Sequence, residues 1–475
     1  FGCRGNDFLW RYRRRLILFQ MYFSIKTSIQ SYFKRSTSIA PLVVFRIVYG
    51  AVMTYSAVRF ILNDWVHQFY GIPKFFFSYY GFEWVKPLSE QGMLVVYIIM
   101  AASFFMVMLG AWYRIFSIVS FLTFTYTELI DQTNYLNHYY FISLVACIML
   151  FAPAHRSFSV DTWRKPALAL THIPVIFIHI IQLQLGIVYF YAGIAKLNYD
   201  WLIEAMPLKI WLVSRNDIPL IGPLFNYVWV PYAFSWFGML YDLSIPFLLL
   251  SKRYRGLAYI AVIVFHIMTR VLFQIGMFPF VMIGATLVFF PANFHQKIIA
   301  GLKKILQIKR HEITQRYYVF RQTIAEKILF VILIVYVLFQ LIFPFRYVCY
   351  PDKLFWTEQG FRFSWRVMLM EKMGACYFYV RNPETGGQTE VNIHKYLTPQ
   401  QEKMMSTQPD MILQFAHHLG KEYQQQGIKN PEVRVLSYVA FNGRMSELFI
   451  DPKVDLMKEK DSFCTKKWIK PYKEE

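Results

Sequence analysis

In "YFYAGIAKLNYDWL" (189–202) a lysine, Lys196, stands where a long apolar run meets polar sequence. At the end of a membrane span a lysine ordinarily snorkels its ammonium to the headgroups. Held between packed helices, a lysine is disfavoured as an ammonium and can act as a base. The small residues Ala192, Gly193 and Ala195 let helices approach closely and so favour the second reading. "TNYLNHYY" sets Asn137 beside His138, an amide next to a proton carrier. The plainer alternative is a helix-capping asparagine beside an interfacial histidine.

"VFHIMTRVLFQIGMF" carries His266 inside an apolar run and ends in Gly276, Met277 and Phe278. A hydrogen-bonded interhelical histidine would also explain His266, and it explains His179 better still. "FWTEQGFRFSW" (355–365) reads either as an interfacial aromatic belt or, with its methionine-rich surroundings, as the wall of a site for a flat apolar ligand such as a quinone. Asp242 in "LYDLS" is an intramembrane acid, expected to pair with an arginine such as Arg46 or Arg270 and to serve structure. GxSxG, P-loop, Rossmann glycine and HExxH patterns are absent, which argues against a serine hydrolase, a nucleotide-driven pump and a zinc protease. No CxxC or Cys/His metal spacing occurs, so no metal is expected.

The elements that must position these residues are membrane helices. Of 475 residues, 56% are hydrophobic and only 17% charged, with the apolar residues in long blocks. The class is a polytopic α-helical membrane protein. Nine apolar spans are expected, near 40–62, 92–112, 115–131, 136–153, 173–196, 228–250, 256–276, 277–291 and 327–345. The net charge of +21 comes largely from loops on alternate sides of these spans. That is the positive-inside pattern rather than a nucleic-acid footprint, and it sets the N-terminus inside and the C-terminus outside. All four stretches above then converge on the outer side.

Residues 1–39 read as a basic lead, in part an interfacial helix, with 1–20 a candidate translation artefact. Residues 40–345 form the expected transmembrane domain and 346–475 an extracytoplasmic α+β domain. The latter shows a hairpin about "PETGG", a helix opened by Thr398 and Pro399 and interrupted near Pro409, and a second hairpin about Asn442-Gly443. Cys349 and Cys376 could pair if that segment is extracytoplasmic; the cysteines do not form a disulfide framework.

Seven ordered motifs then resemble the vitamin K-dependent gamma-glutamyl carboxylases and their bacterial relatives. They are "MLGAWYRI" (108–115), "NHYY" (137–140), "FSVDTW" (158–163), "AGIAKLNYDW" (192–201), "FQIGMF" (273–278), "WTEQGFRFSW" (356–365) and "FIDPKVDL" (449–456), spread over about 40–470. The resemblance implies an enzyme in which vitamin K hydroquinone, a reduced naphthoquinone, reacts with O2 to give a strong base. That base takes a γ-proton from a peptide glutamate, CO2 adds to the carbanion, and the quinone leaves as its 2,3-epoxide. It makes Lys196 the starting base and His138, with Asn137, the assistant at the glutamate step. His266, Met277, Phe278, Phe361 and Trp365 become quinone-site residues, and Trp356 and Arg362 contacts of the glutamyl substrate.

The chain departs from the animal enzymes. It has Ala195-Lys196 for their paired lysines, Phe361 for a tyrosine, and no cysteine near Lys74. It also stops where they continue for a long lumenal segment. The last two departures speak against propeptide-directed, processive carboxylation and leave the core chemistry untouched. They favour a bacterial inner-membrane member over an ER-membrane enzyme. The partners implied are a glutamate-containing peptide or protein at the outer face and the lipid bilayer, with no nucleic acid. Two alternatives stand beside this: a quinol-oxidising, epoxidase-type enzyme without glutamate carboxylation, and a non-enzymatic membrane scaffold.

Overall fold

A computed structural model describes residue 32 and residues 35–273, 275–308, 315–319 and 323–473. Except for Tyr32 and 35–39, the expected basic lead lies outside the described residues. Each expected apolar span falls on a helix: α1 Ala40–Leu62, α2 Glu90–Leu109, α3 Tyr113–Ile130, α4 Asn137–Phe151, α5 Ile176–Ala195, α6 Trp229–Leu250, α7 Arg255–Leu272, α8 Phe278–Thr286 and, after α9 Ala292–Ile305, α10 Ile324–Ile342. A short antiparallel pair, β1 Ser36–Ser38 with β2 His172–Pro174, ties the start of α1 to the start of α5.

The expected count of nine spans is corrected by helix length. Among the described residues, six helices are long and apolar enough to cross a membrane, or up to seven if the bent α8–α9 pair is one span. At about 1.5 Å per residue, the 15-residue α4 and nine-residue α8 fall short of a hydrocarbon core of roughly 30 Å. After α8 and a 3-10 turn, Leu287–Phe289, the chain bends by 116° into α9, which carries Lys297, Lys303 and Lys304. α3 has the length but is interrupted by serines and threonines. Ser117, Ser120, Thr123 and Thr127 return their hydroxyls to carbonyls a turn earlier.

Helices α1–α5, α8 and part of α6 and α7 enclose the larger core, with Phe45, Met53, Phe104, Phe141 and Leu185 nearly inaccessible. The outward faces of α2, α6, α7 and α10 keep large apolar side chains exposed, among them Ile98, Phe247, Ile260 and Val331. A belt of that extent belongs in lipid. The protein is an integral membrane protein.

Beyond α10 lies an antiparallel sheet of order β4-β3-β5-β6, comprising β3 Lys372–Arg381, β4 Gln388–Glu390, β5 Glu432–Phe441 and β6 Glu447–Leu448. The alternating residues Phe378, Val380, Val433, Val435 and Val439 face helices α11 Pro399–Met405 and α12 Pro409–Gln425. Thr398 caps α11 through a capping box. The helix breaks before Pro409, and the second hairpin turns at Asn442-Gly443, both at positive φ.

One core joins this module to the bundle: Phe77, Ala195, Trp201 and Leu208 pack with Trp356, Phe415 and Phe449. Polar ties reinforce it. Gln401 donates to the Phe75 carbonyl and to Asp131, and Asn442 and Arg444 both bond Asp200. Cys349 is exposed, Cys376 buried, and both are free.

Candidate active site

The close approach expected at "AGIAK" is present. A Cβ on Gly193 would lie 2.9 Å from the Leu243 backbone nitrogen of α6, so only glycine admits α6 this near to α5. α5 ends at Ala195, and Asn198 opens the next turn by accepting from the Trp201 N–H. Lys196 is thereby left at the helix end, pointing inward and 6% exposed.

Its Nζ donates to Asp242 Oδ2 at 2.7 Å and to the Ala192 carbonyl at 3.3 Å, and it lies 5.3 Å from the Trp201 ring. Asp242 therefore pairs with Lys196, not with an arginine. Arg46 instead donates to the carbonyls of Ala154, Ser157 and Phe158, and Arg270 is exposed. The reason is depth and azimuth: Asp242 follows the α6 face that Gly193 brings against α5.

Lys196 and Asp242 open into an apolar cavity of about 370 Å³ walled by Phe234, Phe237, Phe265, Leu272 and Met282. His266 lines it too. His266 Nε2 shares a hydrogen bond with Tyr189 Oη at 2.8 Å, while its Nδ1 is buried without a partner. His179 shares a bond with Tyr32 instead.

A second cavity of about 590 Å³ lies alongside and is more polar. Asn137, His138, Met277, Phe361 and Arg362 line it, joined by Arg59, Glu358 and Arg366. His138 Nε2 is buried with no partner. Asn137 does not cap its helix; it donates to the Arg366 carbonyl at 2.7 Å and accepts from Tyr135 Oη.

Ile275, Phe278, Val367 and Met368 line both cavities and so form the wall between them. The Phe278 ring lies 5.3 Å from that of His266 on one side and 5.6 Å from that of His138 on the other. Gly276, at φ 59°, makes the left-handed turn that delivers Phe278 to the head of α8. The residues expected to converge on one site thus occupy two adjoining chambers.

The 356–368 segment is irregular backbone. Glu358, Phe363, Trp365 and Met368 all have positive φ, a conformation bulky side chains rarely adopt unless their surroundings impose it. Here the ties are explicit. Tyr135 Oη accepts from the Phe363 N–H, and Lys372 donates to the Trp356 and Thr407 carbonyls and to Glu358 at 2.8 Å. Arg362 pairs with Asp410 and bonds Gln408. Burial opposes the charge on both partners, yet their attraction wins. Arg362 is held above its usual pKa and Asp410 below.

Two expected site residues line neither cavity. Trp356 is in the core of the C-terminal module, against Phe449 and Tyr472, with Nε1 donating to the Lys470 carbonyl. Trp365 stacks on Tyr140 at 4.8 Å. Both are fully buried as packing residues of the chamber's supporting segment. A third groove of about 290 Å³ shares Gln132, Glu358 and Arg362 with the polar chamber. Sequence reasoning missed Arg59, Glu358 and Arg366 as lining residues; the only signal was charge inside or beside aromatic motifs. Among the described residues, no three His, Cys, Asp or Glu side chains come together as a metal site.

An HTTM domain model matches residues 34–294, more than half of the chain. The family model described as the lumenal domain of vitamin K-dependent gamma-carboxylase matches residues 325–475. No solved structure matches. With the helical part and the C-terminal module both accounted for in one chain, the protein belongs to the vitamin K-dependent gamma-carboxylase family.

Proposed function

We propose that the protein is a vitamin K-dependent gamma-glutamyl carboxylase, coupling oxidation of a hydroquinone to its epoxide with CO2 addition at the γ-carbon of peptide glutamate. The observation that supports this best is the pair of chambers divided by Phe278, one apolar with Lys196 and one polar with His138. The apolar chamber fits a reduced naphthoquinone. Its walls are aromatic and methionine-rich, its volume lies in the range of small-ligand sites, and the orphaned His266 Nδ1 gives a polar contact for a ring oxygen. When bound, the hydroquinone supplies, with O2, a base far stronger than any side chain.

The chain's own residues have separable tasks. Lys196 removes the hydroquinone proton, and Asp242 orients the amine. Proton transfer within the 2.7 Å pair turns an ion pair into an amine and a carboxylic acid, so a neutral amine is available without an isolated buried charge. Asn137 ties the start of α4 to the 356–368 segment and so orients His138. His138 exchanges a proton at the glutamate step. Phe278 keeps bulk water in the polar chamber away from the quinone ring. The peptide reaches the polar chamber by way of the third groove. The loop charges support a setting with the N-terminus inside and the C-terminal module outside, which takes an odd number of crossings, seven with the bent α8–α9 pair as one span.

The test incubates purified protein with vitamin K hydroquinone, O2, labelled bicarbonate and a glutamyl peptide. Equimolar epoxide and labelled peptide are expected. Epoxide without label would instead favour a quinol-oxidising enzyme, and neither product a scaffold.

A further inference from the structure

The polar chamber has an imbalance of charge. Three arginines, Arg59, Arg362 and Arg366, and one glutamate, Glu358, line it. Glu358 is committed to Lys372 at 2.8 Å, and Arg362 to Asp410. Arg366 is different. It is 7% exposed, and no carboxylate lies within ion-pair distance of it among the described residues. Its guanidinium rests on the Tyr347 ring at 4.3 Å and near that of Phe355 at 5.6 Å, and its Nε has no hydrogen-bond partner. Burial works against its charge and pulls its pKa down, outweighing a side-chain hydrogen bond to the neutral Tyr347.

A buried cation left without an anion is costly, and a structure keeps one where a ligand will pair with it. Guanidinium offers a planar fork that matches a carboxylate by two parallel hydrogen bonds. The position adds a second argument. The Arg366 carbonyl accepts from Asn137, the residue before His138, whose own Nε2 is buried and unpaired in the same chamber. An anion on Arg366 within that chamber shares it with His138, the one histidine lining it.

Building on the glutamate reading of the polar chamber, we infer that Arg366 is the residue that binds the γ-carboxylate of the glutamyl substrate and selects it over uncharged side chains. The consequence for chemistry is electrostatic. Proton removal from the γ-carbon puts a second negative charge next to the carboxylate, and a guanidinium on that carboxylate lowers the cost.

The experiment measures binding of a fluorescent glutamyl pentapeptide and its glutaminyl twin to the protein in nanodiscs. Binding of vitamin K quinone is measured alongside as a check on folding. The wild type should prefer the glutamyl peptide by about ten- to a hundredfold, the worth of a hydrogen bond to a charged group. Arg366→Gln should bind both peptides alike while retaining the quinone. Arg366→Lys, which keeps the charge but loses the fork, should lose several-fold of the preference. If Arg366→Gln keeps the preference and the quinone, the Arg366 assignment is overturned and the glutamate reading of the chamber stands. If the wild type binds the two peptides alike, the chamber reading fails and Arg366 falls with it. Should Arg366→Gln unfold, undiminished preference in Arg366→Lys overturns the assignment.

Discussion

Lys196 and Asp242 meet at 2.7 Å between two packed helices, their side chains 8% and 6% exposed. Removing one partner leaves the other charge buried, at a cost of about 3–5 kcal/mol. Lys196→Ala should therefore lower the melting temperature and also cut epoxide formation by roughly 10²–10⁴-fold. The double variant Lys196→Ala, Asp242→Ala should recover stability but not activity. Epoxide measured by chromatography, beside thermal melting, checks both; wild-type rates in Lys196→Ala would remove the base assignment.

Phe278 stands in the wall between the chambers, its ring within 6 Å of both His266 and His138. Phe278→Ala opens a passage for water. Epoxide should then accumulate without matching carboxylation, so the ratio of labelled peptide to epoxide falls. His138→Ala should lower the same ratio while leaving the wall intact. Equal loss of both products in His138→Ala would deny it a separate role at the glutamate step.

Asp410 contributes to the acid stability of the C-terminal module. Burial would raise its pKa, but Arg362 and Lys466 outweigh burial and hold it below 3.8. A carboxyl with a depressed folded pKa stabilises the fold above its unfolded value and loses that contribution as pH falls through the folded one. Asp410→Asn should thus melt earlier than wild type at pH 7, with the two curves converging below about pH 4. Parallel curves down to acid pH would show that the Arg362–Asp410 pair adds nothing.

The thiols of the C-terminal module should react unequally. Cys376 is buried, which pushes its thiol up to about 12, and it lies near Ser437 Oγ at 3.3 Å. Cys349 and Cys464 are exposed. Iodoacetamide at pH 8 should label Cys349 and Cys464 in the folded protein, and Cys376 only after denaturation, as read by peptide mass spectrometry. Labelling of Cys376 at a comparable rate would contradict the packing of β3 on α11.

Local signals in the sequence account for the elements and much of the site's inventory. Apolar runs, Gly193 at the helix contact, the capping box at Thr398 and the Asn442-Gly443 turn are local signals, each acting within a few residues of itself. Hydropathy marks α4 and α8 as apolar, but it reports composition and not where a helix stops, so their lengths came from the tertiary structure. Tertiary structure alone decided which side chains meet. Asp242 and Lys196 are 46 positions apart, and their pairing depends on the rotation of α6 about its axis. The same holds for the division of one expected site into two chambers, and for Trp356, whose neighbours Phe449 and Tyr472 arrive from the end of the chain. A sequence records which residues avoid water, but the azimuth and depth at which helices pack decide what each buried group faces.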